Sequence, residues 1–308
     1  MIPSAFHLIF RDAWRSFKSD KWAVVLAFVS MAIGFATATV ALSIVETIFL
    51  HPLPYRAPGE IVEISQIERD SGYSYAFTYR FFYDIEKLPG VQAISPLSFS
   101  DLILQSDGQS DNEPVVITGV ACSASIFEVL KLKPLRGRLF DRTDETAEAN
   151  APVALISEEL WRSRYGGEPD ILGRKIRLNE QPFTVIGIMR AGLQLPPSPS
   201  APAVWIPLGS DPLIAQVKKM FPSFWDRAAY LAPLWARLDS GMNIKAAEER
   251  VRTAGLPLLA QDDQLYSPGK DLRITAVEEK IKSKYRVETY VLILAALLTL
   301  AVSCFNVS

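Results

Sequence analysis

From Trp22 to Val45 the sequence runs WAVVLAFVSMAIGFATATVALSIV, 24 residues without a charged side chain, bounded by Lys21 and Glu46. A helix rises about 1.5 Å per residue, so this run reaches about 36 Å and spans a hydrocarbon core of roughly 30 Å. A soluble core helix of that length carries charge somewhere on its surface, and this one carries none. A cleaved signal peptide is the competing reading, because Arg11, Arg15, Lys18 and Lys21 precede the run and Ala36-Thr37-Ala38 resembles a cleavage site. The apolar run continues beyond that site and is extended by Ile48, Phe49 and Leu50, which favours a retained span. Ser30, Gly34 and Ala38 recur every fourth residue and share one helical face, the kind that lets a second membrane helix approach closely.

Residues 1–21 place Phe6, Ile9, Phe10, Ala13, Trp14 and Phe17 opposite Arg11, Asp12, Arg15 and Lys18, an amphipathic helix suited to the cytoplasmic membrane surface. A second uncharged run, TYVLILAALLTLAVSCFNVS, occupies residues 289–308. It reads as a second span, with Ala295, Thr299 and Ser303 as its small-residue face. The basic flank before Trp22 keeps the N-terminus in the cytoplasm, which places residues 46–288 outside it.

That outer stretch reads as an α+β domain. Prolines at 52, 54 and 58 end the first span's helix, and a strand follows from Ile61. Thr78 caps a helix closed by Pro89-Gly90, with an aromatic cluster of Tyr73, Tyr75, Phe77, Tyr79 and Phe81 around its start. Separate strands are expected over 91–95, 102–105 and 115–120, with Asp107-Gly108 turning the last two. The clearest grammar is at 153–189. There a buried strand runs into Ser157 as N-cap, Gly166-Gly167 stops the helix, and a hairpin folds around Asn179-Glu180. Prolines at 196, 197, 199 and 202 read as a stiff connector. Strands are expected over 230–238 and 272–277, with Asn243 capping a helix to about Thr253 between them.

Chemistry is sparse. The two histidines, His7 and His51, lie near the membrane ends of the first span, so an outer-domain nucleophile has almost no base to draw on. Cys122 and Cys304 fall in different solvents and do not pair, and Cys122 reads as a small buried residue. No zinc spacing, phosphate loop or calcium-loop pattern occurs. A net charge of −2 argues against nucleic acid as partner. The chain is expected to be no enzyme and to hold no cofactor. Any ATP must be bound by a separate polypeptide.

The tracts IFLHPLPYRAPGEIVEI, EKLPGVQAISP, FEVLKLKPLRGRLF, VALISEELWRSRYGGEPDILGRKIRLNEQPFTVIGIM, VWIPL and WARLDSGMNIKAAEERV occur in this order. In them the chain resembles the MacB-like periplasmic core domain. As a whole it is similar to the first part of a MacB/FtsX-type ABC transporter permease, specifically the large permeases with a duplicated unit. The resemblance implies a plasma-membrane permease component or fragment, dimeric or paired with a second permease unit, seated on a cytoplasmic ABC ATPase. ATP-driven helix motion would then act on an extracytoplasmic substrate or partner protein, as efflux or mechanotransmission. Family units have four spans and this sequence ends in its second, which reads as a truncated permease. A membrane-tethered interaction or sensor domain without transport is the alternative. Glu180 also stands where a glycine is common in the hairpin turn, leaving Asn179 as the residue suited to positive φ.

Overall fold

The computed structural model describes residues 21–46, 53, 55–75, 77–86, 88–105, 113–145, 152–193, 195, 201–211, 230–231, 234–260 and 270–305. The expected amphipathic helix before Lys21, both histidines, the Asp107-Gly108 turn and most of the proline-rich connector lie outside the described residues. The chain divides into two compact units, Leu53–Lys280 and the pair of segments Met1–Pro52 and Ile281–Ser308.

In chain order the elements are α1 (Lys21–Val45), β1 (Ile61–Glu68), β2 (Ser74–Tyr75), β3 (Phe77–Thr78), α2 (Tyr79–Ile85), β4 (Val91–Gln105) and β5 (Val115–Cys122). Next come α3 (Ile126–Val129), β6 (Arg136–Gly137), α4 (Arg142–Glu145), β7 (Val153–Ser157), α5 (Glu158–Tyr165), β8 (Lys175–Leu178) and β9 (Gln181–Met189). The last are β10 (Val204–Pro207), β11 (Tyr230–Leu231), β12 (Leu234–Leu238), α6 (Ile244–Ala260), β13 (Lys270–Ala276), α7 (Val277–Lys284) and α8 (Arg286–Phe305).

The middle unit is organised by β4. Its first half, through Pro96, pairs antiparallel with β12, and its second half, from Leu97, pairs with β5. One 15-residue strand therefore joins two half-sheets, giving the strand order β13-β1-β12-β4-β5-β10-β7-β9-β6. The sequence suggests two strands here, because Pro96 and the polar residues Ser98, Ser100 and Asp101 separate the two apolar stretches. In the fold those residues remain in the ladder, opposite β12 and β5. The expected strand over 230–238 likewise resolves differently, with β11 pairing β3 and β12 lying between β1 and β4.

The β7-α5-β8-β9 unit follows its local signals. The Ser157 hydroxyl accepts the Leu160 amide at 3.1 Å, and Gly166 closes the helix at φ 59°. The Trp161 indole donates to the Glu168 carbonyl at 2.8 Å, which folds the chain back after the helix. In the hairpin turn both Asn179 and Glu180 take positive φ, 46° and 70°, so Glu180 bears the strain that a glycine avoids. Asn179 does more than turn the chain. Its side-chain oxygen accepts the Ile103 amide at 2.8 Å and its amide donates to the Ile103 carbonyl at 3.0 Å, pinning the hairpin to β4.

Packing settles the aromatic cluster. Phe77, Phe81 and Phe82 are fully buried, and Phe77 stacks on Phe81 with centroids 5.1 Å apart. They are core, while Tyr73 stays exposed. Helix α6 runs past the expected stop and through Pro257 to Ala260. The proline forfeits one helical hydrogen bond, and burial of Val251, Gly255 and Leu259 against the sheet offsets it. Gly255 lies so close to Leu272 that a β-carbon there would meet it at 2.7 Å.

In the other unit, α1 and α8 are each long and apolar enough to cross a membrane. Leu26, Phe35, Leu42, Leu294, Leu297 and Leu298 point outward and are exposed by more than half. A helix from a soluble core buries such side chains; a membrane helix presents them to lipid. The fold is an α+β domain in the sequence interval between two candidate spans.

Candidate functional site

Two constellations bear on function: the contact between α1 and α8, and the anchorage of the chain where it enters and leaves the middle unit.

Along α1, Gly34 and Ala41 are buried, with Ser30 and Ala38 half-buried beside them. Gly34 faces Ser303, and a β-carbon at Gly34 would stand 2.6 Å from the Ser303 Oγ. That hydroxyl lies 2.8 Å from the Ser30 carbonyl on the opposite helix and 2.7 Å from the Thr299 carbonyl on its own. The structure thus brings Ser30, Gly34 and Ser303 together. On α8 the buried positions are Thr289, Ala296 and Ser303, seven residues apart, matching the seven between Gly34 and Ala41. This is the period of left-handed helix packing.

Ala295 does not join this contact. It is exposed, and Ala296 takes the place expected of it. Thr299 is half-buried and its hydroxyl donates to the Ala295 carbonyl at 2.6 Å. A four-residue stripe counted back from Ser303 drifts one position off the seam, because the seam advances by alternating steps of three and four.

The second constellation centres on Arg237 of β12, a guanidinium with no exposed surface. Its Nε donates to the Val129 carbonyl at 2.6 Å and its Nη2 to the Arg56 carbonyl at 2.8 Å. Nη1 donates to Glu60 Oε2 at 2.8 Å and to the Ala57 carbonyl at 3.4 Å. A buried charge persists only when paired and hydrogen-bonded, and this arrangement meets that demand. Lys131 stands 3.6 Å from the same Glu60 carboxylate, and Ser240 donates to it at 3.0 Å. Desolvation pushes the Glu60 carboxyl up, but the bonds from Ser240 and Arg237 and the nearby positive charges outweigh it, so its pKa lies below the ordinary value. The tract LWARL reads as a strand from sequence, and the lone cation inside it is the one local signal of this buried charge.

The remaining chemistry is structural. Cys122 is fully buried, and burial together with the Glu145 charge pushes its thiol pKa well up, the condition of an inert thiol. Among the described residues no group of three histidine, cysteine or acidic side chains is placed to hold a metal ion.

Residues 24–254 match the model of the MacB-like periplasmic core domain, more than half of the chain. The chain belongs to this family. No curated protein matches the sequence. Among solved structures, the chain is similar to the periplasmic region of MacB from Actinobacillus actinomycetemcomitans, at 17% identity and a TM-score of 0.50, over 74% of this chain and 92% of that one. It is also similar to the extracellular domain of the noncanonic ABC-type transporter YknZ from Gram-positive bacteria, at 17% identity and a TM-score of 0.49, over 70% and 99% of the two chains. The MacB likeness gives the same fold. In this chain two candidate membrane helices flank the MacB-like periplasmic core in sequence.

Proposed function

We propose that this chain is the permease component of an ABC system in the plasma membrane, with residues 46–288 outside the cytoplasm and ATP bound by a separate cytoplasmic ATPase. The observation that carries the reading is the family match, which runs from within α1 through the MacB-like core. The α1–α8 contact supports it, because a close small-residue seam lets the two helices move as one body when an ATPase acts on their cytoplasmic side. In this reading the helices act as a lever, the core domain is the working end, and a second permease unit or copy completes the assembly. The core acts on an extracytoplasmic substrate or partner protein by changing shape, in efflux or mechanotransmission.

Co-expression with the neighbouring genes followed by mild detergent extraction tests this. An ATPase of the ABC type co-purifies with the chain under the proposal, and its ATP hydrolysis responds to the chain's presence. Consistent recovery of the chain without any ATPase overturns it.

A further inference from the structure

The chain enters the MacB-like core after the first span and leaves it towards the second, and at both points a charged pair fastens it to one small area of sheet. On the incoming side, Arg237 holds the Arg56 and Ala57 carbonyls and the Glu60 carboxylate. On the outgoing side, Lys280 of α7 is paired with Glu63 of β1, a carboxylate that is 3% exposed and also accepts the Ser65 hydroxyl. The register decides where these pairs lie. Ile61 stands opposite Arg237 and Glu63 opposite Trp235, and residues facing each other across an antiparallel pair share one face. Arg237 and Glu63 therefore sit side by side on the same face of the β1–β12 pair, with Glu60 just before that strand begins.

We propose that Arg237–Glu60 and Lys280–Glu63 are twin clamps that deliver movement of both membrane helices to the β1–β12 pair, with Arg237 and Lys280 as positioning residues for that transmission. The role in transmission rests on the transporter reading given above; the fastening itself does not. The physical need is plain. The incoming segment, residues 55–60, holds no more than a single 3-10 turn at Pro58–Glu60, and α7 is a helix of only 8 residues, marginal by itself in water. Left unfastened, both take up displacement as slack. A salt bridge to a buried carboxylate resists this better than a surface pair, because releasing the lysine leaves Glu63 desolvated and short of a cation.

The test uses the full chain in liposomes, with hydrogen exchange read by mass spectrometry. Lys280→Met, Lys280→Met with Glu63→Gln, and Arg237→Lys are compared with the parent. Arg237→Lys keeps the charge but loses the fork of donors. We expect exchange in α7 to rise roughly tenfold or more in Lys280→Met, and exchange across residues 55–60 to rise similarly in Arg237→Lys. The amides of β7 and β9 should exchange as in the parent. Unchanged exchange in α7 and 55–60, or an equal rise throughout the domain, overturns the clamps. If Arg237→Lys fails to fold, the two Lys280 variants decide the outcome alone. In complexes that retain an ATPase, the variants should still hydrolyse ATP but lose the ATP-dependent change in core-domain exchange. Retention of that change overturns the transmission role and leaves the transporter reading standing. Absence of any ATPase overturns the transporter reading and transmission with it, while a selective exchange rise still supports the fastening.

Discussion

Replacing Gly34 by leucine separates α1 from α8. A β-carbon at this position already meets Ser303 Oγ at 2.6 Å and Ser303 Cβ at 3.1 Å, and the Leu300 backbone lies 3.5 Å away. The serine hydroxyl of an alanine variant can rotate aside, but the leucine side chain has nowhere to go except between the helices. Overpacking of this kind costs about 1–3 kcal/mol, and the bond from Ser303 to the Ser30 carbonyl is lost as well, on the order of 0.6 kcal/mol in a membrane. The Gly34–Leu300 and Ser30–Ser303 approaches run antiparallel, which sets Ala38 near Ala296. Cysteines at Ala38 and Ala296, in a Cys304→Ser background, should therefore crosslink readily in the parent. Gly34→Leu should lower the yield about tenfold or more, and Gly34→Ala much less. Equal yields from parent and Gly34→Leu would place the seam elsewhere.

Arg237→Ala destabilises the core domain by about 3–5 kcal/mol, read by chemical denaturation. The change removes the buried partner of Glu60 and takes the guanidinium donors away from the Val129 and Arg56 carbonyls, while the Ala57 carbonyl keeps the Glu60 amide at 3.0 Å. Arg237→Met fills the space but restores no donor, so it recovers only the packing share of the loss. The Glu60 carboxyl has its pKa lowered in the fold, so the stability it adds is present above the unfolded value and is lost as pH falls through the folded one. That acid-sensitive share should shrink in Arg237→Ala, with Ser240 and Lys131 left to hold the carboxylate. A loss below about 1 kcal/mol would show that water readily replaces the guanidinium.

These two positions illustrate what a sequence discloses and what it conceals. Gly34 was legible because a glycine inside an uncharged span has few other uses, and its phase was set by Ser30 and Ala38. The partner face was legible only to within one residue. On α8 the small residues Ala295 and Ala296 are adjacent, and the choice between them depends on supercoil phase, which composition does not encode. Capping chemistry was plain at Ser157, Gly166 and Asn179, since each supplies a hydrogen bond or a positive φ that its neighbours cannot. The continuity of β4 was concealed because its two halves satisfy different partners, and only tertiary pairing decides that Pro96 does not end the strand. Arg237 and Lys280 were concealed for the same reason. Their partners Glu60 and Glu63 are nearly adjacent in sequence, yet the arginine lies 177 residues away from the first and the lysine 217 from the second.

The transporter reading requires the MacB-like core to stand outside the cytoplasm. Asp170 is exposed on that domain, Cys122 is buried, and Cys304→Ser removes the remaining thiol. With Asp170→Cys in that background, a membrane-impermeant maleimide added to intact spheroplasts should label the chain as fully as it does after lysis. Labelling that appears only once the membrane is broken would contradict the account.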